Sequence, residues 1–168
     1  TANALPTAGS VSLTGTLDLN ANSQQLGDLT GAGTVTSSAA GTPTLTVANG
    51  SANTFSGVVA NGSCTTALTK SGAGTLTLTG NNTYGGATTV SAGTLAVGNG
   101  GTSGVVGAGA ISATGALQFN RSDATSVANN ISGAGTVTIA SSGGGTYSGT
   151  IANPVSVTGS GTNTFSNS

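Results

Sequence analysis

Lys70-Ser71 is the one place where a side-chain amine adjoins a hydroxyl, the minimal pairing of a serine nucleophile with a lysine base. A working site also needs a group to orient the base and donors for an oxyanion, and the sequence has no histidine to help. The pair reads as a coincidence of neighbours. Asp18, Asp28 and Asp123 are the only carboxylates, and they would hold calcium or share a proton only if the fold stacked them. Spread as they are, they read as surface or turn residues. Gly31-Ala32-Gly33, Gly72-Ala73-Gly74 and Gly133-Ala134-Gly135 lack the third glycine and the following helix of a dinucleotide fingerprint, and read as tight turns into strands. Cys64 is the single cysteine, so no intrachain disulfide forms. With no histidine or cation placed to make it a thiolate, it reads as a small space-filling residue. Asn-x-Ser/Thr triplets such as Asn61-Gly62-Ser63 and Asn81-Asn82-Thr83 are expected by chance in so much Asn, Ser and Thr. No catalytic, metal-binding or cofactor-binding residue is assigned, and the chain is not expected to be an enzyme.

Composition narrows the partners. Charged residues make up 3% of the 168 residues, against about 25% in an ordinary soluble domain. The ionic inventory is Asp18, Asp28, Lys70, Arg121 and Asp123. Two cations cannot displace counterions from a phosphate backbone, which excludes nucleic acid as a main partner. Small polar residues break every apolar run well short of the roughly 20 residues of a spanning helix. Five aromatics, Phe55, Tyr84, Phe119, Tyr147 and Phe165, cannot build the two girdles of a membrane barrel. The length suits one domain over 1-168. The opening TANALPTAGS has no apolar signal core, so an exported protein is expected here as a mature fragment.

The alternating segments Gly15-Thr16-Leu17-Asp18-Leu19, Gly33-Thr34-Val35-Thr36, Gly74-Thr75-Leu76-Thr77-Leu78, Gly93-Thr94-Leu95-Ala96-Val97, Gly115-Ala116-Leu117-Gln118-Phe119 and Gly135-Thr136-Val137-Thr138-Ile139 recur along the chain. Their glycines stand 18, 41, 19, 22 and 20 residues apart, with 41 expected to hold two periods and a degenerate copy. A period-2 apolar pattern is a strand with one buried face, and Thr and Val suit it. A period of about 20 residues cannot bury its own apolar face, but stacked periods cover one another. The expected fold is therefore all-β: a right-handed parallel β-helix, or β-solenoid, of roughly eight coils. Strand pairing between coils satisfies the backbone, leaving an exterior of hydroxyl and amide groups.

A second motif, Asn53-Thr54-Phe55, Asn82-Thr83-Tyr84, Gly145-Thr146-Tyr147 and Asn163-Thr164-Phe165, falls between these segments and is expected in turns. Its rings read first as corner packing or ring stacking. Exposed, Phe55, Tyr84, Tyr147 and Phe165 would instead be candidate glycan-stacking residues.

From Leu68 to Gly98 the order LTKSGAGTLTLTGNNTYGGATTVSAGTLAVG resembles the passenger-associated transport repeat, or autotransporter-associated β-strand repeat, of bacterial type V secreted proteins. Asn3–Thr36 and Gly115–Ala140 are similar to segments that accompany it. The resemblance implies a β-helical passenger on the outer surface of a Gram-negative bacterium or released from it, with sparse cysteine and no catalytic residues in the repeat. It assigns structural roles to Gly72, Gly74, Leu76, Leu78, Gly80, Asn82, Tyr84, Val90, Gly93, Leu95 and Val97. Asn153–Ser168 continues the Thr/Ser/Gly pattern and does not resemble the family's C-terminal barrel. The chain is expected to be a piece of stalk, a released product or a filament subunit.

Three functions follow as expectations. The leading one is an extracellular structural or adhesive solenoid whose partners are itself, head to tail or laterally, or neighbouring coils of a longer chain, because open strand edges invite pairing. The alternative is an adhesin segment binding cell-surface glycans, matrix or a receptor through the aromatic turns. Ice binding by Thr-x-Thr pairs comes last, since Thr16-Leu17-Asp18 and Thr94-Leu95-Ala96 break the array.

Overall fold

The computed structural model describes residues 1–166. Among them are twenty short strands, β1 to β20, all paired parallel, and no helix. One face of the molecule is an eight-stranded sheet of β1 (Ser10–Leu13), β4 (Asp28–Gly31), β7 (Asn53–Phe55), β10 (Thr75–Leu78), β12 (Thr94–Val97), β14 (Ala116–Phe119), β17 (Val137–Ile139) and β19 (Val155–Val157). A second face has six strands, β3 (Gln24–Leu26), β6 (Thr44–Val47), β9 (Ala67–Lys70), β11 (Thr88–Val90), β13 (Ile111–Ala113) and β16 (Ile131–Ser132). The third face is split into β2 (Thr16–Asp18), β5 (Thr34–Ser37) and β8 (Val58–Gly62) at one end, and β15 (Thr125–Val127), β18 (Gly145–Tyr147) and β20 (Asn163–Phe165) at the other. Each coil visits the second, first and third face in turn. Eight coils at about 4.8 Å give a rod roughly 40 Å long.

Alternation explains why these residues form strands and which side they bury. In β10 the leucines Leu76 and Leu78 are buried while Thr75 and Thr77 are half-exposed, and β5, β6 and β14 follow the same rule. Register then stacks like on like. Leu76, Leu95, Leu117, Val137 and Val155 form one inward column, and Phe55, Leu78, Val97, Phe119, Ile139 and Val157 the next. Each fully buried aliphatic side chain contributes about 1.5–3 kcal/mol.

Two expectations change. The glycine-led segments fall on two faces: β2 and β5 lie on the third, whereas β10, β12, β14 and β17 lie on the first. All three faces carry the same alternation, so period 2 alone cannot say which face a segment joins. The interval from Gly33 to Gly74 accordingly holds less than two full coils, and the intervening first-face strand is β7, placed in a turn by the sequence reading. Coil length also varies, from a step of 18 between Ser10 and Asp28 to one of 24 between Gly31 and Phe55.

Polar side chains hold the corners. Asp18 accepts hydrogen bonds from the Asn20 and Ser38 amides at 2.8 and 2.9 Å and from the Ser38 hydroxyl. These bonds, the Ser38 hydroxyl foremost, keep its carboxyl below the ordinary 3.8. A depressed carboxyl supports this corner above that value and ceases to do so as acid titrates it. The same corner places Asn20 and Ala21 at φ 44° and 61°, in left-handed conformation. Asn tolerates this, but Ala pays for its Cβ. Ala21→Gly is expected to raise unfolding free energy by about 1 kcal/mol, read as a higher urea midpoint with an unchanged slope.

Candidate functional site

The segment with the most ordered repeat forms the fourth coil and most of the fifth. Leu76, Leu78, Val90, Leu95 and Val97 are all buried and point into the core. Gly72 and Gly74 lie in the turn between β9 and β10. Gly80 sits where a Cβ would come within 1.8 Å of the Gly57 carbonyl oxygen one coil below, and Gly93 turns into β12 at φ 64°. Both positions demand glycine, the first for close approach of coils and the second for backbone conformation.

Three polar side chains are enclosed with this hydrophobic set. Asn82 replaces a missing third-face strand: its Oδ1 accepts from the Val59 amide at 2.8 Å, and its Nδ2 donates to Gly80 O and Val105 O. The side chain thereby bridges the coils on either side. Tyr84 is fully buried, and its hydroxyl shares a 2.8 Å hydrogen bond with Thr88 Oγ1. Burial pushes that hydroxyl up to about 12. Lys70 is the third. It occupies an inward column between Val47 and Val90 and is 0% exposed. Its ammonium donates to Gly72 O and, at 3.5 Å, to Ala92 O. Desolvation lowers its pKa, and among the described residues no carboxylate is bonded to it. Lys70 thus bonds a corner and is not set as a base for Ser71, for its amine is turned inward to the Gly72 and Ala92 carbonyls.

Residues 68–97 match the model of the passenger-associated-transport-repeat family. The chain carries a passenger-associated transport repeat. Every structural residue expected from Gly72 to Val97 lies inside it. A 70-residue stretch, 42% of the chain, is 47% identical to the adhesin BmaC autotransporter of Brucella suis biovar 1 (strain 1330). The match spans 2% of the length of that relative. No solved structure matches the chain.

Beyond the transport repeat the aromatic motif is not a set of exposed turns. Phe55, Tyr147 and Phe165 lie on β7, β18 and β20, and Phe55, Tyr84 and Tyr147 are buried. Tyr147 stacks on Phe165 with centroids 5.3 Å apart and meets Phe119 edge-on at 5.7 Å. Three of the four rings are therefore withheld from a sugar, and Phe165 is the one exposed. Asparagines that sequence reasoning passed over do what Asn82 does inside the transport repeat. Asn49 donates to Ser51 O and Thr75 O, Asn129 to Gly107 O and Gly109 O, and Asn153 to Ala113 O and Gly135 O. The sequence held a signal for Lys70, since it falls two positions after Leu68 on the inward phase of β9. Asn49, Asn129 and Asn153 carry the same signal, each two positions after an apolar residue, Val47, Val127 and Ile151, whereas Asn82 stands four after Leu78 and carries none.

The exterior is hydroxyl-rich. On the second face Thr46, Thr69, Thr89, Ser112 and Ser132 stand in one register column. The parallel Thr77 column on the first face is interrupted by Ala96 and Gln118. Arg121 pairs with Asp123 at 2.8 Å and donates to Thr102 O and Gly104 O, tying the loop after β12 to the next coil. At the two ends of the described ladder, β1 and β19 are edges of the first face. Val155 and Val157 are 42% and 50% exposed, and with Ile151 and Phe165 they line an open apolar groove.

Two measurements check these assignments. Asn82→Ala leaves the Val59 amide without its side-chain acceptor, while the Gly80 and Val105 carbonyls keep their backbone donors, and is expected to cost about 1–3 kcal/mol in urea denaturation. Lys70 has a folded pKa below its ordinary 10.5, so stability should climb as pH rises through the folded value toward 10.5. Tyr84 and Tyr147, raised from 10.0 to about 12, should erode stability as pH rises above 10. Thermal midpoints are expected to peak near pH 10, and Lys70→Met should flatten the rising limb and leave the falling one.

Proposed function

We propose that the chain is an extracellular, non-enzymatic passenger segment of a Gram-negative surface or secreted protein, acting as a structural and adhesive solenoid. The carrying observation is the transport repeat seated in an eight-coil parallel ladder. The name of the Brucella relative, an adhesin autotransporter, favours an adhesive setting. Display of residues 1–168 on a Gram-negative surface, fused to an outer-membrane anchor, should leave the chain open to added protease or antibody and raise attachment to host cells or matrix. Display without a gain in attachment would remove the adhesive part of the reading, and failure to reach the surface would remove the passenger part.

The finer reading is that copies associate end to end. Its support is the matching of columns at the two ladder edges: Val11 and Leu13 on β1, Val155 and Val157 on β19. Such a contact is heterologous and non-closing, so it extends into a filament. A neighbouring coil of a longer chain would cover the same edge. Electron microscopy over a concentration series is expected to show fibres with a repeat near 4.8 Å. Isolated rods at every concentration would end the filament reading and leave a stalk segment.

A further inference from the structure

The chain contains three Asn-Gly steps, Asn49-Gly50, Asn61-Gly62 and Asn99-Gly100. Glycine at the second position removes the side chain that would shield its backbone nitrogen from the asparagine amide. The fold treats the three differently. Asn49 is fully buried, with its Nδ2 donating to Ser51 O and Thr75 O. Asn61 is half-buried, and its Oδ1 accepts from the Thr66 amide at 3.1 Å and the Gly85 amide at 2.8 Å. Asn99 is exposed in the loop between β12 and the next third-face segment, and its side chain makes no hydrogen bond among the described residues. Gly100 follows at φ 88°.

We propose that Asn99 is a spontaneous deamidation site, the place where this nearly uncharged surface acquires a new carboxylate. The Gly100 backbone nitrogen attacks Asn99 Cγ and gives up its proton. The Cγ–Nδ2 bond breaks and ammonia leaves, closing a succinimide. Water then opens the ring at Cγ to give aspartate, or at the backbone carbonyl to give isoaspartate. The balance is one water in and one ammonia out, with no oxidant or enzyme. What restrains the step is the loop's own bonding. Gly100 N donates to Asn120 O at 2.9 Å, Ser122 N donates to Gly101 O, and Arg121 holds Thr102 O and Gly104 O. At Asn99 the nucleophile must be released but the side chain is already free, whereas at Asn49 and Asn61 the side chain itself must be freed.

The product matters because the surface has so little other charge. Formal net charge is −1, and conversion changes it by a full unit within the loop that Arg121 clamps. An isoaspartate would also lengthen the backbone of that loop by one carbon.

The test is incubation of the folded chain in mildly alkaline buffer, followed by peptide mapping that separates Asn, Asp and isoaspartate at the three steps. The same chain in denaturing urea serves as the reference in which all three steps are open. Folded protein should convert Asn99 first, with Asn49 and Asn61 slowed relative to urea by several-fold for each side-chain hydrogen bond that must open. Arg121→Ala should speed Asn99 alone, because that clamp reaches neither of the other steps. Conversion of Asn61 or Asn49 ahead of Asn99, or an Asn99 that stays intact in the folded chain while urea converts it, would overturn the proposal. Equal rates at Asn99 with and without Arg121 would overturn the clamp's part in it.

Discussion

The structure depends on backbone hydrogen bonds that run from each coil to the next. A period of about 20 residues makes three short strands and encloses almost nothing by itself, so neither its peptide groups nor its leucines are satisfied until another period lies against it. That single requirement fixes the rest. Parallel register forces equivalent positions into columns, columns demand that inward residues be apolar, and the close approach of coils demands glycine at points such as Gly80. Charge is nearly absent from the ladder, and where it occurs, at Asp18, Lys70 and Arg121, it bonds corners and loops.

Where the ladder cannot be closed by backbone, side-chain amides take over. Asn82 stands in for a third-face strand between Val59 and Val105, and Asn49, Asn129 and Asn153 tie corner carbonyls of neighbouring coils together. Lys70 performs the same task with an ammonium group. These bonds reconcile coils of unequal length. Coils that step by 18 and by 24 residues can share one core because the surplus leaves at the corners, and the corner amides satisfy what the strands no longer reach.

Much of this was legible in the sequence. Alternation at Thr75-Leu76-Thr77-Leu78 and at Gly93-Thr94-Leu95-Ala96-Val97 identified strands, and the recurrence near 20 residues identified a stack. Face assignment was not legible, because Gly15-Thr16-Leu17 and Gly74-Thr75-Leu76 look alike and yet lie on different sheets. The three-residue strands carrying Phe55, Tyr147 and Phe165 are too short for alternation to show, and their Asn and Gly neighbours suggested turns. Three-dimensional register, which sets Tyr147 against Phe119 and Phe165, decides their place.

The direction of the ladder bonds has a mechanical consequence. Strands lie across the rod, so the hydrogen bonds joining coils lie roughly along it, and tension between the ends loads the interfaces in series. Each interface then opens like a zipper and not in shear, and the weakest one yields first. One released coil exchanges about 4.8 Å of rod for roughly 70 Å of extended chain. A solenoid of this kind lengthens in steps under pull and shields whatever it is joined to from the peak of the force.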